Sequence, residues 1–211
     1  MYKISNFKPR NHVYQYSPLT GVLIMSDIQV LYESTPNPQS MKFVVTEMIT
    51  TNESLDCQDS ISAMRSPLAQ KLFGFPWAES VFIGPNFVTV TKQDWVDWDI
   101  IADPLSHLIK EHIESGSPVL LPNQEHINQV DETADSDVVK KIKFILNNEV
   151  RPAVAMDGGD IVFQRFEEGI VYVYMQGACA GCPSSTITLK QGIEARLCEA
   201  IAEVKGVEQV F

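Results

Sequence analysis

The chain has 211 residues, a formal net charge of −11 and a hydrophobic share of 45%. That length fits one large domain or two small ones, with enough apolar residues for a proper core. The negative balance argues against nucleic acid, whose phosphates demand a basic face, and no apolar run approaches the ~20 residues of a membrane span.

The first 26 residues carry Lys3, Lys8 and Arg10 and no acid. They read as a poorly ordered extension (residues 1–27) with Met25 as the true start; the alternative is an acid-poor targeting peptide. From Ile28 the pattern tightens. "IQVLYES" and "MKFVVTEMI" are strand-like on either side of the two-proline turn "TPNPQS". "SPLAQKLFGF" reads as a short helix, with Ser66 as N-cap, Pro67 at the first position and Gly74 as the stop. "AESVFIGPNFVTVTK" is a hairpin turning at Gly84-Pro85-Asn86. "DPLSHLIKEHIESG" is a helix that Asp103 caps, Pro104 starts and Gly116 ends. The order ββαββα over residues 28–116 predicts an α+β sandwich with helices on one face of an antiparallel sheet. Within it, Trp77, Trp95 and Trp98 are expected in the core, and the acidic run "DWVDWDIIAD" on a solvated face.

Residues 117–136 hold two prolines and an acidic tail with little period, which marks a linker. As a flexible chain it would reach ~25 Å. In the second unit, residues 137–211, Val138, Val139, Ile142, Ile145 and Leu146 recur at helical spacing, so a helix should run to about Arg151-Pro152. Asp157-Gly158-Gly159-Asp160 is a turn, its glycines permitting φ > 0 and its aspartates bonding local amides. "IVFQRFEEGIVYVYMQG" is a hairpin around Glu168-Gly169; Leu189, Ile193, Leu197, Ile201 and Val204 form the stripe of a long helix, and "GVEQVF" a last strand. The order αββαβ is a second small α+β domain. Charge is unevenly shared: residues 28–116 have five basic and twelve acidic side chains, a net of −7, against eight and ten, a net of −2, in residues 137–211. The more acidic first unit suits recognition of client or donor surfaces.

Four cysteines are too sparse for a disulfide framework and suit a reducing compartment. Cys179 and Cys182 form a C-x-x-C pair in "GACAGCPSS", with Pro183 placed to open a helix. Thiolates there feel the positive end of the helix dipole, which lowers their pKa and primes them as ligands or nucleophiles. Small neighbours let backbone amides approach a bulky anionic partner. Three functions compete. A thioredoxin-like pair usually follows a βαβ pattern, whereas an antiparallel hairpin precedes this one. Structural zinc needs four ligands, but His12, His107, His112 and His126 all lie upstream, and His107 and His112, five apart on a helix, read as surface residues. Cys198, fifteen positions along a helix from Pro183, would lie ~22 Å away at about 1.5 Å per residue and reads as a packing residue. Cys57, in the polar stretch "TNESLDCQDS", reads as incidental. An iron–sulfur cluster takes four thiolates, and two chains related by a twofold axis could each bring one pair.

"RPAVAMDGGDI" followed by "GACAGCPSSTITLKQGIEARL" resembles the NifU-like C-terminal domain of Nfu-type iron–sulfur cluster carriers. "STPNPQSMKFV" with "SPLAQKLFGFPWAESVFIGPNFVTVTK" resembles the Nfu N-terminal domain that often precedes it. The resemblance implies a labile [4Fe–4S] cluster held by Cys179 and Cys182 across a homodimer and passed to apo-proteins after receipt from upstream assembly proteins. It implies a carrier, not an enzyme, in the cytoplasm, or in the mitochondrial matrix if the first 25 residues are a targeting peptide. The sequence offers no nucleophile–base pair, phosphate-binding glycine loop or cofactor fingerprint. A thiol–disulfide oxidoreductase and a zinc-bridged dimeric adaptor are the rivals.

Overall fold

The computed structural model describes residues 14–16, 23–25, 28–51, 53–122, 135–180 and 183–210. Two strands fall in the segment expected to be poorly ordered: β1 (Tyr14–Tyr16) and β2 (Leu23–Met25) pair antiparallel, with Tyr14 opposite Met25.

The next unit is a five-stranded antiparallel sheet of β3 (Val30–Ser34), β4 (Ser40–Val45), β5 (Leu55–Cys57), β6 (Ala78–Ile83) and β7 (Phe87–Lys92), in the order β3-β4-β7-β6-β5. Period-2 alternation decides its two faces. Met41, Phe43 and Val45, Val81 and Ile83, and Val88 and Val90 point to one side. Helices α1 (Pro67–Leu72) and α2 (Trp98–Glu114) cover that side with Leu68, Leu72, Ile101, Leu105 and Ile109. Ser66 caps α1 as expected, its Oγ accepting from the Ala69 N–H at 3.0 Å and donating to the Val119 carbonyl at 2.7 Å. Val119 is buried in this core and the Leu121 N–H donates to the Arg65 carbonyl at 2.7 Å, so the segment read as linker first runs along the first unit.

Five local expectations differ from the structure. Cys57 is not in a loop: it ends β5, an edge strand, and is fully buried. Helix α2 starts at Trp98 with Asp97 as N-cap, so Asp103 and Pro104 lie inside it. Burying the stripe Ile101, Leu105, Ile109, at about 1.5–3 kcal/mol each, outweighs the ~3 kcal/mol that Pro104 costs through its missing N–H and its ring against the Ile100 carbonyl. For the same reason "DWVDWDIIAD" is only partly a solvated face, because Ile101 and Ala102 are buried. Trp77 is buried and Trp98 packs edge-on to Phe43 at 6.5 Å, while Trp95 is 66% exposed and outside the core. His112 continues the α2 stripe and is buried, not superficial; its Nε2 meets the Pro118 carbonyl at 3.2 Å.

The last unit begins with α3 (Asp137–Ile145), capped by Ser136. The chain does not stop at Pro152: a π-helical turn, Leu146–Val150, leads into α4 (Arg151–Met156). The widened turn accommodates a ring that cannot continue regular i→i−4 bonding. β8 (Gly159–Glu167) and β9 (Ile170–Gly177) form the expected hairpin, with φ of 52° at Glu168 and 89° at Gly169. Helix α5 (Pro183–Ala200) crosses back to β10 (Gly206–Val210), which pairs parallel to β9. The α5 stripe ends sooner than expected: Ile201 and Val204 are buried but follow the helix. The core joins Ile142, Leu146 and Val154 to Val171, Val173 and Met175 and to Ile193 and Leu197.

Candidate functional site

The site forms where the α4–β8 turn meets the end of β9. Gly158 has φ of 81° and Gly177 φ of 64°, left-handed conformations that glycine adopts without Cβ strain. Gly159 and Gly177 face each other in the β8–β9 register. The Ala178 N–H donates to the Gly158 carbonyl at 3.1 Å and the Ala180 N–H to the Gly177 carbonyl at 3.0 Å, curling the cysteine loop over the Asp157–Asp160 turn. A Cβ on Gly159 would lie 2.6 Å from the Cys179 Sγ and 2.6 Å from the Gln176 carbonyl oxygen. The glycine therefore leaves the room that the thiol occupies.

Asp160 anchors the turn. Its Oδ1 accepts from the Ile161 N–H at 2.8 Å, the local amide bond expected of it. Its carboxylate also takes Arg151 bidentately, Nε to Oδ1 at 2.7 Å and Nη2 to Oδ2 at 2.6 Å. That hydrogen-bonded carboxylate raises the Arg151 pKa. Asp157 is exposed at the rim beside Cys179 and makes no such pair among the described residues.

Cys179 is 4% exposed and belongs to the second core. Beside it opens a cavity of about 700 Å³, lined by Leu189 and Ile193 of α5, Val150 and Ala153 of the opposite helical wall, and Pro36 of the first unit. The Glu149–Arg196 pair closes its rim at 2.6 Å and 3.0 Å, and Arg196 holds the Glu149 carboxyl below its usual range. Pro183 is the first residue of α5, as the motif predicts. Cys182 lies outside the described residues. Cys198 sits in the last turn of α5 against the second core, and Cys57 lies in the first core. Burial and the nearby Asp56 and Asp59 carboxylates push the Cys57 thiol up to about 12. Among the described residues no group of three or more His, Cys, Asp or Glu side chains could hold a metal ion.

The sequence reading missed two sets of residues. From the sequence Arg151 reads only as a helix end, although an Arg nine residues before a turn aspartate is an available partner. The second set belongs to the first unit: Lys42, Asp56, Phe82 and Thr89 reach the Asp157–Asp160 turn and the cysteine loop. They occupy the alternate positions of strands whose other face is apolar, which signals a covered face without saying by what.

A two-unit α+β chain with a C-x-x-C loop at a helix N-terminus is the class that fold and site define. Two family models match it: the "Scaffold protein Nfu/NifU N terminal" family over residues 28–116 and the "NifU-like domain" family over 142–208. The human protein named NFU1 iron-sulfur cluster scaffold homolog, mitochondrial, is 41% identical over 180 residues, which cover 85% of this chain and 70% of that one. NifU-like protein 5, mitochondrial, of Arabidopsis thaliana is 45% identical over 185 residues, 85% of this chain and 66% of that one. A solved NifU-like protein from Saccharomyces cerevisiae aligns with a TM-score of 0.43 at 25% identity, over 55% of this chain and 100% of that one. The chain belongs to the Nfu/NifU family.

Proposed function

We propose that this chain is an iron–sulfur cluster scaffold and carrier whose cargo is a [4Fe–4S] cluster, held by Cys179 and Cys182 of two copies and handed to apo-proteins. The observation that carries this is the thiol pair's position immediately before Pro183, at the N-terminus of an 18-residue helix. A thiolate there is favoured by the dipole and by N–H groups with no helical partner. One chain then supplies two of the four thiolates a cluster usually takes, and a second copy supplies the rest. Relatives that align over 85% of this chain carry the words iron-sulfur cluster scaffold or NifU-like in their names.

The chain's own residues prepare the loop. Gly159 makes space for the Cys179 side chain, Arg151 and Asp160 pin the turn beneath it, and Leu189 and Ile193 give the cavity beside Cys179 an apolar wall. On this reading nothing is turned over, and the protein is a carrier. Residues 28–116 and 137–211 act as two units joined through 117–136. Cysteines kept as thiols need a reducing compartment; the relatives' names favour the mitochondrion over the cytoplasm. Partners are upstream assembly proteins and apo iron–sulfur clients. No described helix is long and apolar enough to cross a membrane.

Anaerobic reconstitution with iron and sulfide, followed by Mössbauer spectroscopy, tests this against its rivals. A four-iron cluster spectrum is expected. Zinc bound in preference to iron when both are offered, read by metal analysis, would favour the adaptor, and a reversible Cys179–Cys182 disulfide found by thiol titration with no iron bound would favour the oxidoreductase.

A further inference from the structure

The helix-free face of the five-stranded sheet carries one row of side chains in register across four strands. Lys42 lies opposite Thr89, Thr89 opposite Phe82, and Phe82 opposite Asp56. All four meet the site of the other unit. The Lys42 Nζ donates to the Met156 carbonyl at 3.3 Å, and the Thr89 Oγ1 to the Gly158 carbonyl at 2.7 Å. The Phe82 ring would lie 3.0 Å from a Cβ on Gly177, and the Asp56 Oδ1 accepts from the Gly177 N–H at 3.3 Å. Next to the row, the Ser54 Oγ donates to the Asp160 Oδ2 at 3.3 Å and the Asn37 Nδ2 to the Ala178 carbonyl at 3.5 Å.

We propose that the first unit is a cap on its own chain's cysteine loop, and that the cap must lift before a second copy can share a cluster. The proposal rests on the carrier reading above. A cluster shared about a twofold axis needs the two loops to face each other. Here Gly177, Ala178 and Cys179 are all buried, and Pro36 and Asn37 of the β3–β4 turn stand beside them. On the side of the first unit these three residues are therefore covered, and Pro36 also stands on the rim of the cavity beside Cys179. The cap is built to open. Its polar contacts are single bonds, the Phe82 ring adds an apolar contact at Gly177, and cavities of about 330 Å³ and 490 Å³ flank them, lined from both units. Polar, incompletely packed contacts between domains resemble transient interfaces, and domain motion is their default. The three-residue strand β5 has a purpose on this view, since it brings Asp56 into the row.

The test is alkylation of the apo full-length chain by iodoacetamide, with each cysteine followed by mass spectrometry. Cys57 serves as the internal control for the fold of the first unit, being fully buried there. Thr89→Arg places a long charged side chain against Gly158 and should lift the cap, so Cys179 should label at least several-fold faster while Cys57 stays protected. Thr89→Ser keeps the hydroxyl and should label as the wild type does. If Thr89→Arg exposes Cys57, the pair Lys42→Ala with Asp56→Ala, which removes two cap bonds from partly exposed positions, takes its place. Wild-type labelling of Cys179 in a variant that keeps Cys57 protected would overturn the proposal. Faster labelling in a variant that takes up no iron would uphold the cap and count only against the carrier reading.

Discussion

Replacing Gly159 by alanine is the sharpest probe of how the loop is packed. The new methyl would meet the Cys179 Sγ at 2.6 Å, the Gln176 carbonyl oxygen at 2.6 Å and the Cys179 Cβ at 3.2 Å. A thiol can rotate away, but the Gln176 carbonyl belongs to β9 and moves only with its strand. Overpacking of a fitted site costs about 1–3 kcal/mol, and a backbone neighbour puts this case at about 2–3 kcal/mol. For a unit of this size that is a fall in melting temperature of roughly 8–24 °C. Gly192→Ala is the matched control: a Cβ there meets nothing within 4 Å, and the residue lies inside α5. Helix propensity alone should make that variant more stable by about 0.5–1 kcal/mol. Urea titrations of both variants by circular dichroism, with Cys179 labelling in parallel, read the contrast. Gly159→Ala with wild-type stability and unchanged labelling of Cys179 would refute the packing argument.

Arg151→Met leaves the nearly buried Asp160 carboxylate without its bidentate partner. The loss should be about 2 kcal/mol, less than the ~3–5 kcal/mol of a fully buried pair because the Arg151 side chain is 41% exposed, and urea melts would measure it. Burial lowers the His112 pKa from 6.5, so the unfolded chain takes up that proton first as pH falls. Stability from this group is complete above pH 6.5 and declines below it, and the decline should be absent from urea melts of His112→Leu. Cys57→Ser buries a hydroxyl in the first core and should cost about 1–3 kcal/mol by urea titration while leaving iron uptake unchanged.

Much of this was legible because local chemistry and tertiary role agree. Ser66-Pro67, the Gly84–Asn86 turn and the Glu168-Gly169 turn carry their backbone geometry in their own residues. Pro183 marked the start of α5 for the same reason. Where a long-range contact decides, the sequence was silent or misleading. Pro104 looked like a helix start, but the apolar stripe one turn earlier extends α2 to Trp98. The stripe Ile101, Leu105, Ile109, His112 was readable and would have shown that His112 turns inward. β5 was hidden because only Cys57 of its three residues is buried and its flanks are polar. Nothing local could disclose that Thr89 and Asp56 reach a turn some seventy and more than a hundred residues away.

The central claim is that one chain holds half a cluster site. Sedimentation velocity of the reconstituted full-length protein, with iron and protein determined on the same fractions, tests it most directly. Cluster-bearing material should sediment as a dimer with about four iron per two chains, from the ligand count, and Cys179→Ser and Cys182→Ser should abolish it while Cys198→Ser should not. A fully loaded species that sediments as a monomer, or a Cys198→Ser variant that stays folded and loses its iron, would contradict it.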